Sequence, residues 1–232
     1  ADLVGRRVVA GPGGTGGYAE RAVVDASRLI ALDDGMPMRE AVALLSDGRT
    51  AVGLIRLASL SPGETAVVEA AAGDVGTLLV QLARTAGARV IALVGGARKL
   101  AVDVVFDGVG GAVGLAASVL LGPGGRFLPF GMASGSFASG MDGTVPADPS
   151  SAENFTVLRS ARSTPDELVA LTRAALREAE LGRLRPVIGQ EFALEDAAAA
   201  HAAIEGRETV GKTLLVVGHP PASPGGESLT QA

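Results

Sequence analysis

The 232-residue chain has no cysteine and no tryptophan, one tyrosine and two histidines. Without cysteine there is no disulfide, no thiolate-bound zinc and no thiol nucleophile. His201 and His219 are too few for a histidine-based metal centre, so no metal is expected. Positive charge is also scarce. The 20 Lys and Arg are outnumbered by 25 Asp and Glu, giving a net charge of −5, which argues against nucleic acid as a partner. No apolar run approaches the roughly 18 residues of a membrane span. The opening Ala1-Asp2-Leu3, followed by Arg6 and Arg7, lacks the apolar centre of a signal peptide. The expectation is a cytoplasmic protein with neither a nucleic-acid nor a membrane partner.

What the chain does have is aliphatic surface and glycine: 47% hydrophobic residues against 19% charged, and 33 glycines. That composition folds, and the length supports one large or two modest domains. The stretch Thr65–Gly87 organises the rest. A short apolar run, Ala66-Val67-Val68, leads through Glu69 and Ala70 into the turn Ala71-Ala72-Gly73-Asp74-Val75-Gly76. Leu78, Leu79, Leu82 and Ala86 then recur at helical spacing. Strand, glycine turn and helix form the context of a dinucleotide fingerprint. Gly73 would admit a pyrophosphate and Gly76 would let the helix pack on the strand. The helix N-terminus would offer free N–H groups and a partial positive charge. Two departures stand out: Ala71 replaces the first glycine, and Asp74 puts a carboxylate where phosphate would sit.

Before this stretch, apolar runs predict strands near 7–10, 18–24 and 29–31. Pro37 opens a helix that runs to about Leu45. Asp47-Gly48-Arg49-Thr50 is expected to break it, with a second helix carrying Val52, Leu54, Ile55 and Leu57. After the stretch, Arg89–Val94 reads as a buried parallel strand. Its tip should lie beside the adenosine ribose. It offers no acid there, only Gly96, Arg98 and Lys99, and two cations suit a 2′-phosphate, hence NADP. Val102–Phe106 is the next strand, yet only residues 95–102 separate it from Val94, too few for a crossover with its helix. A strand and its helices are expected to be missing from the sequence at this point.

The chain continues with a helix near 113–121, a strand at 126–130 tipped by Gly131 and Met132, and a Gly/Ser/Pro/Asp-rich loop over 136–152. An edge strand follows near Phe155. Thr164-Pro165-Asp166-Glu167 forms a capping box for a helix ending near Gly182. A strand over 187–192, a helix over 195–205 and a strand over 213–217 precede a Pro/Gly/Ser-rich tail, expected to be disordered.

Taken in order, AVVEAAAGDVGTLLVQLARTAGARVIAL, VDVVFDGVGG, GGRFLPFGMASG and AHAAIEGRETVGKTLLVV resemble the medium-chain dehydrogenase/reductase superfamily, in its zinc-free, zeta-crystallin-like quinone oxidoreductase branch. The resemblance implies an α/β chain with two units. One is a Rossmann-type parallel-sheet domain over 51–158. The other is a β-rich GroES-like catalytic domain over 1–50 and 159–218, N-terminally incomplete, with the tail at 219–232. It further implies NADP(H) as cofactor and hydride transfer to a quinone or activated enone. An enoyl-thioester reductase of a polyketide-like pathway and a nucleotide-binding protein without turnover are the alternatives.

Carried over by residue, Gly73, Asp74, Val75 and Gly76 hold the pyrophosphate, and Gly96, Arg98 and Lys99 the 2′-phosphate. Val109, Gly110, Phe130, Gly131, Met132 and Thr50 line the nicotinamide side. A homodimer through the strand edge near Phe155 is also implied. No acid is nominated. Tyr18 is read as packed in the β domain, His201 as structural, Asp107 as a turn former, and Lys212 as equally a solvent group or a cofactor contact. A missing segment makes the mass a test: the intact protein is expected to weigh well above 23.1 kDa, and a mass equal to it would refute the omission.

Overall fold

The computed structural model describes residues 3–11, 15–93, 101–138, 155–158 and 163–218. Two short strands, β1 (Val8–Val9) and β2 (Ile30–Ala31), pair antiparallel near the start. The expected strand over 18–24 does not form; those residues are bends and irregular backbone, nearly all exposed. With Val23 fully exposed, the apolar residues there have no face to bury, and pattern alone does not sustain a strand.

The expected break at 47–50 is also absent. A single helix, α1 (Met38–Ala58), runs through it. Asp47 and Gly48 are both buried mid-helix. Asp47 survives burial because the Lys212 ammonium lies 2.8 Å from its Oδ2. Gly48 is there for closeness: a Cβ at this position would stand 2.8 Å from Cβ of Ala175, on the helix α4 (Pro165–Glu180). The residues that look like a helix breaker are the ones that let two helices touch. Tertiary packing outweighs the roughly 1 kcal/mol propensity cost of glycine.

Five parallel strands form the central sheet: β3 (Thr65–Glu69), β4 (Arg89–Leu93), β5 (Val102–Asp107), β6 (Leu121–Pro129) and β7 (Phe155–Val157). Their order is β4-β3-β5-β6-β7. The chain therefore moves outward from β3 to β4, then crosses back over β3 to reach β5. This reversal creates a switch point between β3 and β5, with their carboxyl ends at a crevice. The apolar runs that predict these strands are buried: Val67, Val68, Val104, Val105, Phe106, Phe127 and Leu128 are each at most 1% exposed. Each contributes roughly 1.5–3 kcal/mol by leaving water. The expected edge strand near Phe155 forms, and β7 pairs only with β6 among the described residues.

Helix α2 (Asp74–Thr85) follows the glycine turn and buries Leu78, Leu79 and Leu82, as the spacing predicts. Helix α3 (Gly111–Ser118) joins β5 to β6. The capping box of α4 is complete: Thr164 Oγ1 accepts from the Glu167 amide, and Glu167 Oε2 accepts from the Thr164 amide at 2.7 Å. Strands β8 (Ile188–Ala193) and β9 (Lys212–Val216) pair parallel, connected by a 3-10 turn and helix α5 (Ala197–Glu205). A Gly48→Val substitution is expected to cost about 1–3 kcal/mol by forcing α1 and α4 apart. Urea denaturation checks this; an unchanged midpoint would show that the close approach carries no stability.

Candidate functional site

The glycine turn leaves β3 through Ala70, whose φ of +49° is left-handed and uncommon for a residue with a side chain. Gly73 is the N-cap of α2. A Cβ at Gly76 would collide with the Ala70 carbonyl oxygen, so glycine is required there for the helix to sit on the strand. A Cβ at Gly73 would stand 3.2 Å from that same oxygen, closer than ordinary van der Waals contact, so this position favours glycine too. Asp74 Oδ1 accepts from the Val75 amide at 2.9 Å, so the helix satisfies one of its free donors with its own carboxylate.

The turn is braced from a distance. The Gly211 amide donates to the Ala72 carbonyl at 3.1 Å, and Gly73 and Gly211 form a parallel bridge. This contact brings Lys212 over the turn. Its ammonium lies 2.8 Å from Asp47 Oδ2 and 3.6 Å from Asp74 Oδ2. Burial opposes the charge on Lys212, but Asp47 and then Asp74 hold its pKa above the ordinary lysine value. Burial raises Asp47 above the usual carboxylate range, against the pull of Lys212. Lys212 is thus tied into the fold by two carboxylates rather than extended into solvent.

Beside this turn stand the tips of β5 and β6. Asp107, fully buried, closes β5 with the turn expected of it: its Oδ1 accepts from the amides of Val109 and Gly110 at 3.0 and 2.7 Å. Its carbonyl accepts from the amides of Phe130 and Gly131 at 2.8 and 3.2 Å. Phe130 and Ala70 both pack onto Gly108, where a Cβ would be 2.7 Å from the Phe130 ring. The predicted residues of the three strand tips thus meet at one place, while Met132 points outward, 52% exposed. Thr50 lies in α1, not in a turn; its hydroxyl donates to the Ser46 carbonyl at 2.9 Å. With Phe130 it lines a cavity of about 350 Å³. Gly96, Arg98 and Lys99 lie outside the described residues. Tyr18 does not pack in the β domain: it is 62% exposed, with its hydroxyl 2.7 Å from Nε2 of exposed His201.

Sequence reasoning missed Glu69. Val68 pairs with Phe106, so the next residues along, Glu69 and Asp107, are neighbours across β3 and β5. Glu69 is 1% exposed, and the Asp107 carboxylate is its hydrogen-bonding neighbour. Burial, and then the Asp107 carboxylate, push Glu69 up to about 9, so it holds its proton at neutral pH. A single charged residue at the end of an apolar strand was the available signal.

A family model described as zinc-binding dehydrogenase matches residues 83–215. A quinone oxidoreductase of Pseudomonas aeruginosa is 30% identical over 92% of this chain and 75% of its own length. The chain belongs to the medium-chain dehydrogenase/reductase superfamily, in its quinone oxidoreductase branch. The solved quinone oxidoreductase of Thermus thermophilus, also crystallised with NADPH, superposes on this family member with a TM-score of 0.73 and 31% identity, over 91% of this chain and 77% of that one. The polyketide synthase GfsB of Streptomyces halstedii is 34% identical over 55% of the chain, which spans 3% of that protein. Among the described residues of this dehydrogenase/reductase chain, no group of three or more His, Asp or Glu could hold a metal, and no helix is long and apolar enough to cross a membrane.

The Glu69 proton has a measurable consequence. A raised carboxyl pKa means the folded state binds a proton that the unfolded state, at about 4.5, has lost. This contribution to stability is fully present below the unfolded value and is lost as pH rises toward about 9. Relative to Glu69→Gln, wild-type stability is expected to fall by up to about 1.4 kcal/mol per pH unit within that window. Parallel curves for the two proteins in denaturant titrations across the window would show that Glu69 is ionised.

Proposed function

We propose that the chain is an NADPH-dependent oxidoreductase that reduces a quinone or an activated enone without zinc. The observation that carries this reading is the meeting of three strand tips with the N-terminus of α2 at the sheet's switch point. The residues fit a dinucleotide. Gly73 leaves the turn without a side chain at the N-terminus of α2, whose first-turn amides would meet a diphosphate. Gly73, Val75 and Gly76 would hold the diphosphate, and Arg98 with Lys99 the 2′-phosphate. Val109, Gly110, Phe130, Gly131, Met132 and Thr50 would flank the nicotinamide. The cofactor, when bound, supplies the hydride.

The chain's own contribution is position and electrostatics. The Asp107 turn fixes Val109 and Gly110, and its carbonyl fixes Phe130 and Gly131. A quinone needs no protein acid, since the reduced product takes its protons from water. The similarity to a polyketide synthase favours a second reading, reduction of an enoyl thioester, and similar proteins solved in complex with NADPH support the cofactor in both. We also propose a homodimer formed through the edge of β7, which among the described residues pairs only with β6.

Asp74 works against the diphosphate, since its carboxylate already takes the Val75 amide. Asp74→Gly is expected to tighten NADPH binding about tenfold, the effect of removing one like-charge contact of roughly 1.4 kcal/mol. Arg98→Ala with Lys99→Ala is expected to erase a preference for NADPH over NADH. Fluorescence titration of both nucleotides reads both effects, and equal affinity of the wild type for NADH and NADPH would overturn the 2′-phosphate assignment.

A further inference from the structure

Two cavities meet at Arg49. The smaller one holds Thr50 and Phe130. The larger, about 550 Å³, lies between α1, α4 and the segment around β2, and is lined by Arg28, Ile30, Leu45, Arg49 and Leu168 among others. Arg49 and Leu168 line both, so the larger cavity extends the nicotinamide-side cleft. A volume of this order suits a small-molecule ligand.

The charge of the larger cavity is out of keeping with the protein. The chain carries a net charge of −5, yet the described residues of the lining include two arginines and no carboxylate. Neither guanidinium forms an ion pair among the described residues. Two acids close to them in sequence have other partners. Asp25 acts on Arg28 through its charge, but its Oδ1 accepts from the amide and hydroxyl of Ser27, at 2.9 and 2.7 Å. Asp47, two residues before Arg49, acts on it through its charge, but its ion pair is with Lys212. The Thr172 hydroxyl is spent on the Leu168 carbonyl at 2.8 Å. A neutral quinone gives two guanidinium groups no charge to bind, and covering them with it would cost desolvation without return. A carboxylate or phosphate would accept charge-assisted hydrogen bonds from both.

We infer that the acceptor is an electron-poor alkene bearing an anionic group, a carboxylate or a phosphate, which Arg28 and Arg49 hold in the larger cavity. This deepens the oxidoreductase reading and rests on it. The reaction balances as follows. A hydride from the reduced nicotinamide forms a C–H bond at the β-carbon, and the alkene π pair moves to the α-carbon. That carbon takes a proton from solvent, so the alkene is reduced and the nicotinamide oxidised. The arginines touch only the anion.

The test uses the full chain and follows NADPH oxidation with four acceptors: 2-chloroacrylate for the carboxylate, crotonyl-coenzyme A for the phosphate, and ethyl crotonate and 1,4-benzoquinone as neutral controls. One anionic alkene is expected to exceed ethyl crotonate in kcat/KM by roughly tenfold or more, the range of a hydrogen bond to a charged group. Which one it is identifies the source of the anion. Arg28→Gln and Arg49→Gln should each lower the anionic-to-neutral ratio by a similar factor, through KM rather than kcat, and added salt should do the same. The neutral acceptors control for misfolding. Calorimetry of butyryl-coenzyme A and of 2-chloropropionate on the nucleotide-free protein is the readout independent of turnover. Binding that is lost in Arg49→Gln supports the inference. Ratios unchanged in both variants, or no binding of either anion, overturn it. If NADPH itself neither binds nor is consumed while an anion binds, the oxidoreductase reading fails and the anion site stands.

Discussion

The contact between Lys212 and Asp47 ties together parts of the chain that are far apart in sequence. It joins β9 to the middle of α1, and the adjacent Gly211 amide props the Ala72 carbonyl of the glycine turn. An ion pair this shielded contributes little net stability, because both charges lose water; breaking it by removing one partner strands the other. Its value is geometric. It fixes where α1 passes the turn, and so where Arg49 and Thr50, a little further along the same helix, face the cleft. Gly48 serves the same end from the opposite side by admitting α4.

Much of the fold was legible because buried parallel strands are written as continuous apolar runs and helices as spaced leucines. The strands at Thr65–Glu69, Val102–Asp107 and Phe155–Val157 and the capped helix at Pro165 all formed where those signals stood. Two signals misled. Asp47-Gly48 looks like a breaker because local propensity is blind to a lysine near the far end of the chain. The apolar residues near Tyr18–Val24 look like a strand because pattern carries no information about what a segment packs on. The glycine turn and the tips at Val109 and Phe130 were readable because glycine is required there by close approach. Glu69 and the paired role of Lys212 were not, since each depends on a neighbour supplied by another element.

The cleft is electrostatically divided. On the side of the glycine turn stand carboxylates: Asp74, Asp47 and the Glu69–Asp107 pair, the last kept tolerable by a retained proton. On the far side, toward α4, stand the guanidiniums of Arg28 and Arg49, which form no ion pair among the described residues. On the proposed reading, an elongated ligand with a diphosphate at one end would meet these carboxylates beside the backbone amides that hold it. The opposite end of the same cleft offers cations instead, among the described residues.

Because the turn after β3 is braced by Gly211 and Lys212, its construction draws on both halves of the chain. The β3–α2 unit can assemble early, as a local strand and helix. Its backbone gains the second hydrogen-bonded support only after β9 has been made and has docked in parallel on β8. During synthesis on the ribosome the glycine bend is consequently among the last features to reach its final shape. A nascent chain that stops short of Gly211 carries the strand and helix but leaves the bend unbraced.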